Sequence, residues 1–416
     1  MSDAQAAGFQ VLVKPAGPTC NLGCRYCYYL SKTELYPGTT SFRMSDEVLE
    51  SFVRQYIASQ SAPEIPFAWQ GGEPLLLGVE FFRRAVELQK KHCPPTQRIS
   101  NALQTNGTLL TAEWCEFLRD NRFLVGISID GPRRLHDPYR VDKGGQPTFD
   151  RTLRGLELLR QYGVEFNTLT VLHRQNARRP LEVYRFLRQI GSRFMQFIPL
   201  VERVGAEKKT LAGPPEPDGK GGDAPVTPWS VEPAAFGEFL CAVFDEWLRH
   251  DVGEVYVQIF EVQLALHMGL PASLCVFAET CGKGLVLEHN GDLYACDHYV
   301  YPEYLLGNVR TRPLAELANL PRQAAFGAAK RDTLPKQCLA CDVLWACRGE
   351  CPKHRFGAAR AGERGVNYFC AGYKRFFHHV APYMEKMAAL LRAERPAAGI
   401  MAALARQERQ SRRQTR

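Results

Sequence analysis

The sequence lacks any apolar run long enough to cross a membrane. No stretch of its 416 residues approaches the roughly 18 consecutive apolar residues that a membrane-spanning helix needs. The opening residues, Met-Ser-Asp-Ala-Gln, also lack the basic and then apolar regions of a secretory signal. We therefore expect a cytoplasmic protein that makes no membrane contact.

The chain also has little net charge outside its C-terminal tail. The net charge is +8, but residues 385–416 hold eight Lys and Arg against three Glu, so this tail carries +5 and the remainder only +3. A basic tail rich in Gln and Ser is typical of a solvated helix end. We therefore expect no nucleic-acid partner.

Cysteine, in contrast, is abundant. The chain has 14 cysteines, and most of them come in two groups. Cys20, Cys24 and Cys27 form the first, and eight cysteines between Cys275 and Cys370 form the second. In a reducing cytoplasm such groups indicate metal ligands or catalytic thiols rather than disulfides. The three others, Cys93, Cys115 and Cys241, lie in predicted helices or at their ends and are interpreted as packing residues.

From Phe9 to about Leu200, short β-prone runs alternate with helical patterns, which predicts parallel strands joined by crossover helices. The predicted strands are Phe9–Val13, Pro66–Trp69, Ile99–Gln104, Leu124–Ile129, Phe166–Leu172 and Phe194–Ile198. The predicted helices are Ser45–Ser59, Val79–His92, Thr111–Asn121, Asp150–Tyr162 and Ala177–Ile190. Six βα units predict an α/β fold, an open partial (β/α)6 TIM-like barrel. Chemistry in such barrels lies at the carboxyl ends of the strands.

Composition divides the chain into four predicted parts. They are a barrel over 1–230 with a flexible Pro- and Gly-rich insertion at 205–230, a linking helical segment over 231–270, a Cys-rich domain over 271–372, and a helix with a basic tail over 373–416. A helix is predicted from Pro233 to Arg249, with its apolar stripe in the core. The final segment, from Tyr373, is predicted to be one helix that is broken or kinked near Pro382.

The first cysteine group follows the first predicted strand with the spacing Cys20-x3-Cys24-x2-Cys27. Three close thiolates can hold three irons of a [4Fe–4S] cluster and leave the fourth iron open to another molecule. A zinc site lacking a ligand, or three incidental thiols, is the alternative, although zinc sites favour paired Cys-x2-Cys spacing.

This spacing, with Tyr26 before the last cysteine, resembles the radical S-adenosylmethionine (SAM) enzymes. The resemblance implies that the open iron chelates SAM and that the reduced cluster releases a 5′-deoxyadenosyl radical from it. Gly71-Gly72-Glu73-Pro74 matches the family motif whose backbone and carboxylate hold the methionine ammonium. By the same resemblance Ser128 and Arg140 contact the ribose or carboxylate, and Leu200 contacts the adenine.

The second group has two full sets of four cysteines, which two structural zinc sites could also explain. Its pattern resembles the SPASM domain of radical enzymes that modify peptides, which binds two auxiliary [4Fe–4S] clusters. The resemblance implies two interleaved ligand sets: Cys275, Cys281, Cys296 and Cys351 for the first cluster, and Cys338, Cys341, Cys347 and Cys370 for the second. Clusters with four cysteine ligands are suited to accepting electrons.

The segment from Tyr294 to Tyr304 places Asp297 directly after the ligand Cys296. This segment and the arrangement of eleven ligand cysteines resemble anaerobic sulfatase-maturating enzymes, which oxidise a Cys or Ser of a sulfatase polypeptide to Cα-formylglycine. The resemblance implies that Asp297 is the general base. The alternative is that Asp297 caps a turn or hydrogen-bonds near the cluster.

Polar side chains near the same mouth are candidates for holding the substrate peptide. They are Gln104, Thr105 and Asn106 after the third strand, and Tyr28 and Tyr29 beside Cys27. An Asn-Gly pair is otherwise a turn signal, and the tyrosines could pack in the core.

Two rival functions remain open at this point. One is a related enzyme that forms a thioether or carbon–carbon crosslink in a small peptide. Such enzymes usually carry a peptide-recognition domain before the barrel, whereas only nineteen residues precede Cys20 here. The other is a non-catalytic iron–sulfur carrier or a zinc-binding module. Under the favoured interpretation we expect a monomer, three [4Fe–4S] clusters with SAM, a sulfatase polypeptide as substrate, and a flavodoxin or ferredoxin as electron donor.

Overall fold

The computed structural model describes residues 8–205, 211–216, 218–358 and 362–414. Its strands are β1 (Gln10–Lys14), β2 (Glu64–Trp69), β3 (Arg98–Thr105), β4 (Leu124–Ser128), β5 (Phe166–Leu172), β6 (Phe194–Pro199), β7 (Tyr256–Val257), β8 (Gly284–Glu288), β9 (Asp292–Tyr294), β10 (Leu305–Asn308), β11 (Gly357–Ala358) and β12 (Arg364–Val366).

Its helices are α1 (Asp46–Ala58), α2 (Val79–His92), α3 (Ala112–Asp120), α4 (Arg133–His136), α5 (Phe149–Gln161), α6 (Pro180–Gln189), α7 (Pro233–His250), α8 (Gln258–His267), α9 (Leu314–Ala318), α10 (Pro321–Asp332), α11 (Lys336–Leu339), α12 (Leu344–Cys347), α13 (Cys370–Arg392) and α14 (Gly399–Gln414). The described residues contain no helix long and apolar enough to cross a membrane.

The chain divides into two compact units. The first comprises Met1–Ser128, His136–Phe166 and Thr280–Ala329, and the second comprises Ile129–Leu135, Asn167–Glu279 and Lys330–Arg416. The four-part organisation predicted from composition stays a prediction, because this division follows contacts rather than composition.

The first unit is built on a sheet in the order β10-β9-β8-β1-β2-β3-β4. Strands β1 to β4 are parallel to their neighbours, as the alternation of strands and helices predicts. Their inward side chains are buried, including Val13, Phe67 and Trp69, and α1 and α2 cover them with Phe52 and Phe82. The carboxyl ends of these four strands therefore meet at one edge.

The pairing of β1 with β8 was not predicted, and it positions the site. These strands are parallel and in register from Gln10 opposite Gly284 to Lys14 opposite Glu288. Strands β9 and β10 then continue the sheet in antiparallel fashion. The segment that carries Cys296 and Asp297 is thereby brought to the carboxyl end of β1.

In the second unit β5, β6 and β7 are parallel, and α7 packs on α13. The apolar stripe of α7 is buried as predicted, with Phe236 against Phe369 and Tyr373. Gly237 and Gly372 allow the two helices to approach closely, since a Cβ at Gly237 would lie 2.7 Å from the Gly372 Cα.

The six predicted strands and the five predicted barrel helices are confirmed to within three residues at each end. The predicted break of the C-terminal helix near Pro382 is wrong, whereas the alternative, a kink there, is not tested. Helix α13 runs through Pro382 and ends at Arg392, and a separate helix α14 begins at Gly399. The chain turns instead at Glu394, whose φ is +56°, just before Pro396.

The described part of the predicted insertion at 205–230 is organised around Arg203. This buried guanidinium donates hydrogen bonds to the carbonyls of Gly221 at 2.6 Å and Gly213 at 2.5 Å. Val204 and Leu211 form an isolated antiparallel bridge. Residues 206–210 and 217 lie outside the described part of the chain, so the prediction of flexibility is not tested there.

Candidate active site

The first cysteine group lies in the loop that follows β1. The Leu22 amide donates to the Cys20 sulfur at 3.3 Å, and the Cys27 amide donates to the Cys24 carbonyl at 3.0 Å. Burial, with smaller contributions from Glu73 and Cys27, raises the pKa of Cys20 to about 11, although the bond from the Leu22 amide acts in the opposite direction. A metal cluster would supply the positive charge that buried thiolates require.

The Gly71-Gly72 turn presses against this loop. The Gly72 amide donates to the Gly17 carbonyl and the Glu73 amide to the Thr19 carbonyl, both at 2.8 Å. A Cβ at Gly72 would lie 1.9 Å from the Thr19 carbonyl oxygen, one residue before the ligand Cys20. Only glycine therefore fits at this position.

We expect Gly72→Ala to lose the first cluster. The added methyl must push the Thr19–Cys20 backbone aside, at a cost of about 3 kcal/mol, and this displaces a cluster ligand. Iron content after anaerobic reconstitution should fall by one cluster's share. Gly284→Ala is the matched control, because a Cβ there has no neighbour within 4 Å. Full iron content in the Gly72 variant would show that this contact does not position Cys20.

Glu73 is buried, and donors surround its carboxylate. One oxygen accepts from the Thr105 hydroxyl at 2.7 Å and the Leu75 amide at 3.1 Å, and the other from the Asn106 amide at 2.8 Å. Burial raises the pKa of Glu73 to about 7, although these three donors act in the opposite direction. Glu73 thus ties the loop after β2 to the loop after β3, and its predicted contact with the SAM ammonium stays a prediction.

Replacing Glu73 by Gln should destabilise the protein by about 1–3 kcal/mol at pH 8. The new amide cannot accept at both former oxygen positions, so a buried N–H or O–H donor loses its partner. Urea denaturation of the reconstituted protein measures this. Glu80→Gln is the control, since the Glu80 side chain is 82% exposed. Equal stability of the two variants would contradict the structural role of Glu73.

The candidates for holding peptide fall into two classes. Thr105 and Asn106 are buried. The Thr105 hydroxyl donates to Glu73, and the side-chain amide of Asn106 donates to the side-chain oxygen of Asn21 at 2.9 Å. Gln104 is half-buried and donates to the Ser128 hydroxyl at 3.0 Å. Thr105 and Asn106 therefore stabilise the loops around Cys20, and the prediction that any of the three holds peptide is not tested.

The residues of the remaining predicted SAM contacts lie in both units. In the first unit, the Arg140 guanidinium lies 5.6 Å from the centre of the Tyr26 ring, and its charge lowers the pKa of Cys27 against the larger effect of burial. In the second, Leu200 is buried, with its amide bonded to the Leu172 carbonyl. The SAM contacts of these residues stay predictions.

Asp297 lies immediately after Cys296, and its side chain is 23% exposed. One carboxylate oxygen pairs with the Lys14 ammonium, and the other accepts from the Tyr28 hydroxyl at 2.6 Å and the Gln70 amide at 3.4 Å. Burial acts to raise the pKa of Asp297, but Lys14, His298 and the Tyr28 bond outweigh it and lower the pKa to about 2. The group is therefore a carboxylate able to accept a proton.

Lys14 and Glu288, which lie near Asp297, were not predicted from the sequence. Lys14 is 1% exposed, and its ammonium lies 3.3 Å from the centre of the Tyr29 ring. The Tyr29 hydroxyl in turn donates to Glu288, which is fully buried. Lys14 is the last residue of β1 and Glu288 the last of β8, so the unpredicted strand pairing brings them together. Tyr29 thus packs under the site, whereas Tyr28 contacts Asp297.

Two ligands predicted for the first auxiliary cluster, Cys281 and Cys296, lie in the first unit. Gln323 links the residues beside them by donating to the Gly282 carbonyl at 2.8 Å and the Ala295 carbonyl at 3.1 Å. The other two lie in the second unit. There the Lys330 ammonium donates to the Cys275 carbonyl at 2.6 Å.

All four ligands predicted for the second auxiliary cluster lie in the second unit. Burial raises the pKa of Cys338 to about 11 and of Cys347 to about 12, and Cys370 adds to both increases. Cys341 acts in the same way on Cys338 and Cys370. These four thiols therefore influence one another electrostatically, and their assignment to one cluster stays a prediction. Among the described residues, no three Cys, His, Asp or Glu side chains converge closely enough to hold a single metal ion.

Two family models match the chain. "Radical SAM superfamily" matches residues 15–187, and "Iron-sulfur cluster-binding domain", the SPASM model, matches residues 275–342. These matches confirm the predicted fold, a radical SAM domain of parallel strands and helices followed by a SPASM domain.

Curated relatives match nearly the whole chain. The serine-type anaerobic sulfatase-maturating enzyme of Bacteroides thetaiotaomicron is 47% identical over 95% of this chain and 94% of its own length. The cysteine-type enzyme of Clostridium perfringens is 34% identical over 91% of this chain and 98% of its own. The solved structure of native anSMEcpe with bound AdoMet and Cp18Cys peptide matches with a TM-score of 0.79 and 33% identity, over 92% of this chain and 99% of that one.

The spacing of the cysteines and the carboxylate beside Cys296 indicate the same family as the similarity along nearly the whole chain. The chain belongs to the anaerobic sulfatase-maturating enzymes, radical SAM enzymes that carry three [4Fe–4S] clusters and SAM and oxidise a residue of their substrate to formylglycine.

Proposed function

We propose that Asp297 is the general base of this oxidation and that Lys14 is its counter-charge. The geometry of the Asp297 carboxylate is the observation that carries the proposal. It is partly exposed, lies beside a cluster ligand and is fixed from one side by a buried ammonium and from the other by Tyr28 and Gln70. A group that is both accessible and held in place suits proton transfer at a defined position.

The chemistry removes two electrons and two protons from a Ser side chain, or from a Cys side chain whose thioaldehyde then exchanges sulfur for water oxygen. The bound SAM and clusters supply the hydrogen-abstracting radical and the electron acceptor. Asp297 takes the hydroxyl or thiol proton. A hydroxyl on a carbon radical is far more acidic than an ordinary alcohol, so a carboxylate with a low pKa suffices.

The cysteine assignments follow the predicted sets. Cys20, Cys24 and Cys27 hold the SAM-binding cluster. Cys275, Cys281, Cys296 and Cys351 hold one auxiliary cluster, and Cys338, Cys341, Cys347 and Cys370 hold the other. The mutual effects of the last four thiols on their pKa values support the last assignment.

SAM itself is held by residues around the first cluster. Main-chain groups of Gly71 and Gly72 bind its methionine moiety. Glu73 fixes their loop through its hydrogen bonds to Thr105 and Asn106. Tyr26, Ser128, Arg140 and Leu200 complete the site. The contact of Arg140 with the Tyr26 ring, close to Cys27, supports its place there.

The substrate is a sulfatase polypeptide, and the enzyme accepts Ser as the target residue in it. Identity supports this preference: the serine-type relative is 47% identical to this chain and the cysteine-type relative 34%. We expect a Ser peptide to be converted at a rate no lower than a Cys peptide of the same sequence, in competition, with products counted by mass spectrometry. Conversion of the Cys peptide alone would overturn the preference while leaving the oxidation intact.

A flavodoxin or ferredoxin supplies the reducing electron to a monomeric enzyme in the cytoplasm. The low-potential cluster chemistry of the family supports a donor of this class. A reduced flavodoxin system should sustain turnover without dithionite, and size-exclusion chromatography with light scattering should give a mass near 46.9 kDa. A mass of twice that value would overturn the monomer.

A further inference from the structure

A fully buried arginine lies among the cysteines of the second unit. The Arg355 side chain has no exposed surface. Its guanidinium donates to three main-chain carbonyls: Lys330 at 2.6 Å, Gly349 at 3.0 Å and Arg348 at 3.3 Å. Within the described residues, no carboxylate forms an ion pair with it. A buried cation satisfied only by neutral carbonyls is costly unless an anion is near.

The anionic groups near Arg355 are the predicted cluster thiols and the Glu350 carboxylate. Burial lowers the pKa of Arg355, and Cys338, Cys351 and Cys347 oppose that effect. Glu350 also opposes it, but the Glu350 carboxylate is already bonded to His354 at 2.9 Å and to Asn367 at 2.5 Å. Members of both predicted auxiliary ligand sets therefore act electrostatically on the guanidinium, which is bonded to the carbonyls of Arg348 and Gly349, between Cys347 and Cys351.

Arg355 also forms hydrogen bonds to a turn whose backbone has three consecutive positive φ angles. Arg348, Gly349 and Glu350, between the ligands Cys347 and Cys351, have φ values of +50°, +71° and +52°. Two of these residues are not glycine, so the turn is strained. The carbonyls that this turn presents, those of Arg348 and Gly349, are two of the three acceptors of Arg355.

We propose that Arg355 is the internal counter-charge of the auxiliary cluster held by Cys338, Cys341, Cys347 and Cys370, and that it raises the reduction potential of that cluster. Four thiolates outweigh the positive charge of a [4Fe–4S] core, so the loaded site is anionic and becomes more so on gaining an electron. A fixed cation that water does not screen stabilises the reduced form more than the oxidised form. Arg355 thus favours electron acceptance by this cluster.

The inference rests on the proposed ligand assignment, and the test separates the two. We would use the full-length chain with Cys20, Cys24 and Cys27 replaced by Ala, so that only auxiliary clusters contribute to the spectra. Iron and sulfide content come first, followed by redox titrations monitored by electron paramagnetic resonance. Iron short of two clusters in this parent would overturn the ligand assignment and, with it, the inference.

With two clusters present, Arg355→Gln should lower the reduction potential of one auxiliary cluster, and Arg355→Lys, which keeps the charge, should stay near the parent. Lys374→Gln is the matched control, because Lys374 acts on Cys341 and Cys370 but is 46% exposed and screened by water. Parental potentials in a fully loaded Gln variant would overturn the inference. If the Gln variant fails to load, the Lys variant decides: a parental potential supports the role of charge, and a lowered one overturns it.

Discussion

Asp297→Asn is expected to lower formylglycine formation by about 10²- to 10⁴-fold, the usual contribution of a general base. The amide keeps the shape of the side chain and can still accept from Tyr28, but it cannot take up the substrate proton. SAM cleavage should continue, because the Asp297 carboxylate is bonded to Lys14, Tyr28 and Gln70, none of which is a predicted cluster ligand. The measurement is the amount of product formed for each 5′-deoxyadenosine released.

Glu303→Gln is the control for that experiment, since Glu303 belongs to the same segment and is exposed. It should convert peptide like the unaltered enzyme. If Asp297→Asn made product and 5′-deoxyadenosine in the unaltered ratio, Asp297 would not be the base, and its place beside Cys296 would be structural.

Lys14→Met is expected to cost about 3 kcal/mol of stability and to lower the product formed per 5′-deoxyadenosine. Removing one partner of a buried pair leaves the other charge uncompensated, and the cost lies at the low end of the usual range because Asp297 is partly exposed. The carboxylate also loses the contact that fixes its orientation. Lys14→Arg should recover part of both losses by restoring the charge.

Lys32→Met separates stability from chemistry. Lys32 is also a buried lysine of the first unit; its ammonium donates to the Val300 carbonyl at 2.9 Å and lies over the Tyr301 ring. Its loss should reduce stability in urea denaturation but leave the product ratio unchanged. Equal product ratios in the Lys14 and Lys32 variants would contradict a specific role of Lys14 at Asp297.

The features predicted from sequence were those encoded over short distances along the chain. Alternation of apolar residues located β1 to β6, and fixed spacing identified Cys20-x3-Cys24-x2-Cys27. The support of Asp297 could not be found in this way. Lys14 is separated from Asp297 by most of the chain, and only the register of β1 on β8 joins them.

Burial explains two further differences between prediction and structure. Glu73 was predicted from its motif to hold the SAM ammonium, but the three internal donors to its carboxylate were not predicted, since their approach depends on the loops after β2 and β3. Pro382 suggested a helix break, yet α13 continues through it because the helix is packed against α7. Tertiary packing outweighed the local preference.

We conclude that this chain oxidises a sulfatase residue by radical chemistry. The most direct measurement uses the anaerobically reconstituted protein, reductant, SAM and a sulfatase-motif peptide deuterated at the Cβ of its target Ser. We predict a formylglycine peptide and transfer of one deuterium to 5′-deoxyadenosine, both by mass spectrometry. Release of 5′-deoxyadenosine without deuterium, with the peptide unchanged, would contradict the claim.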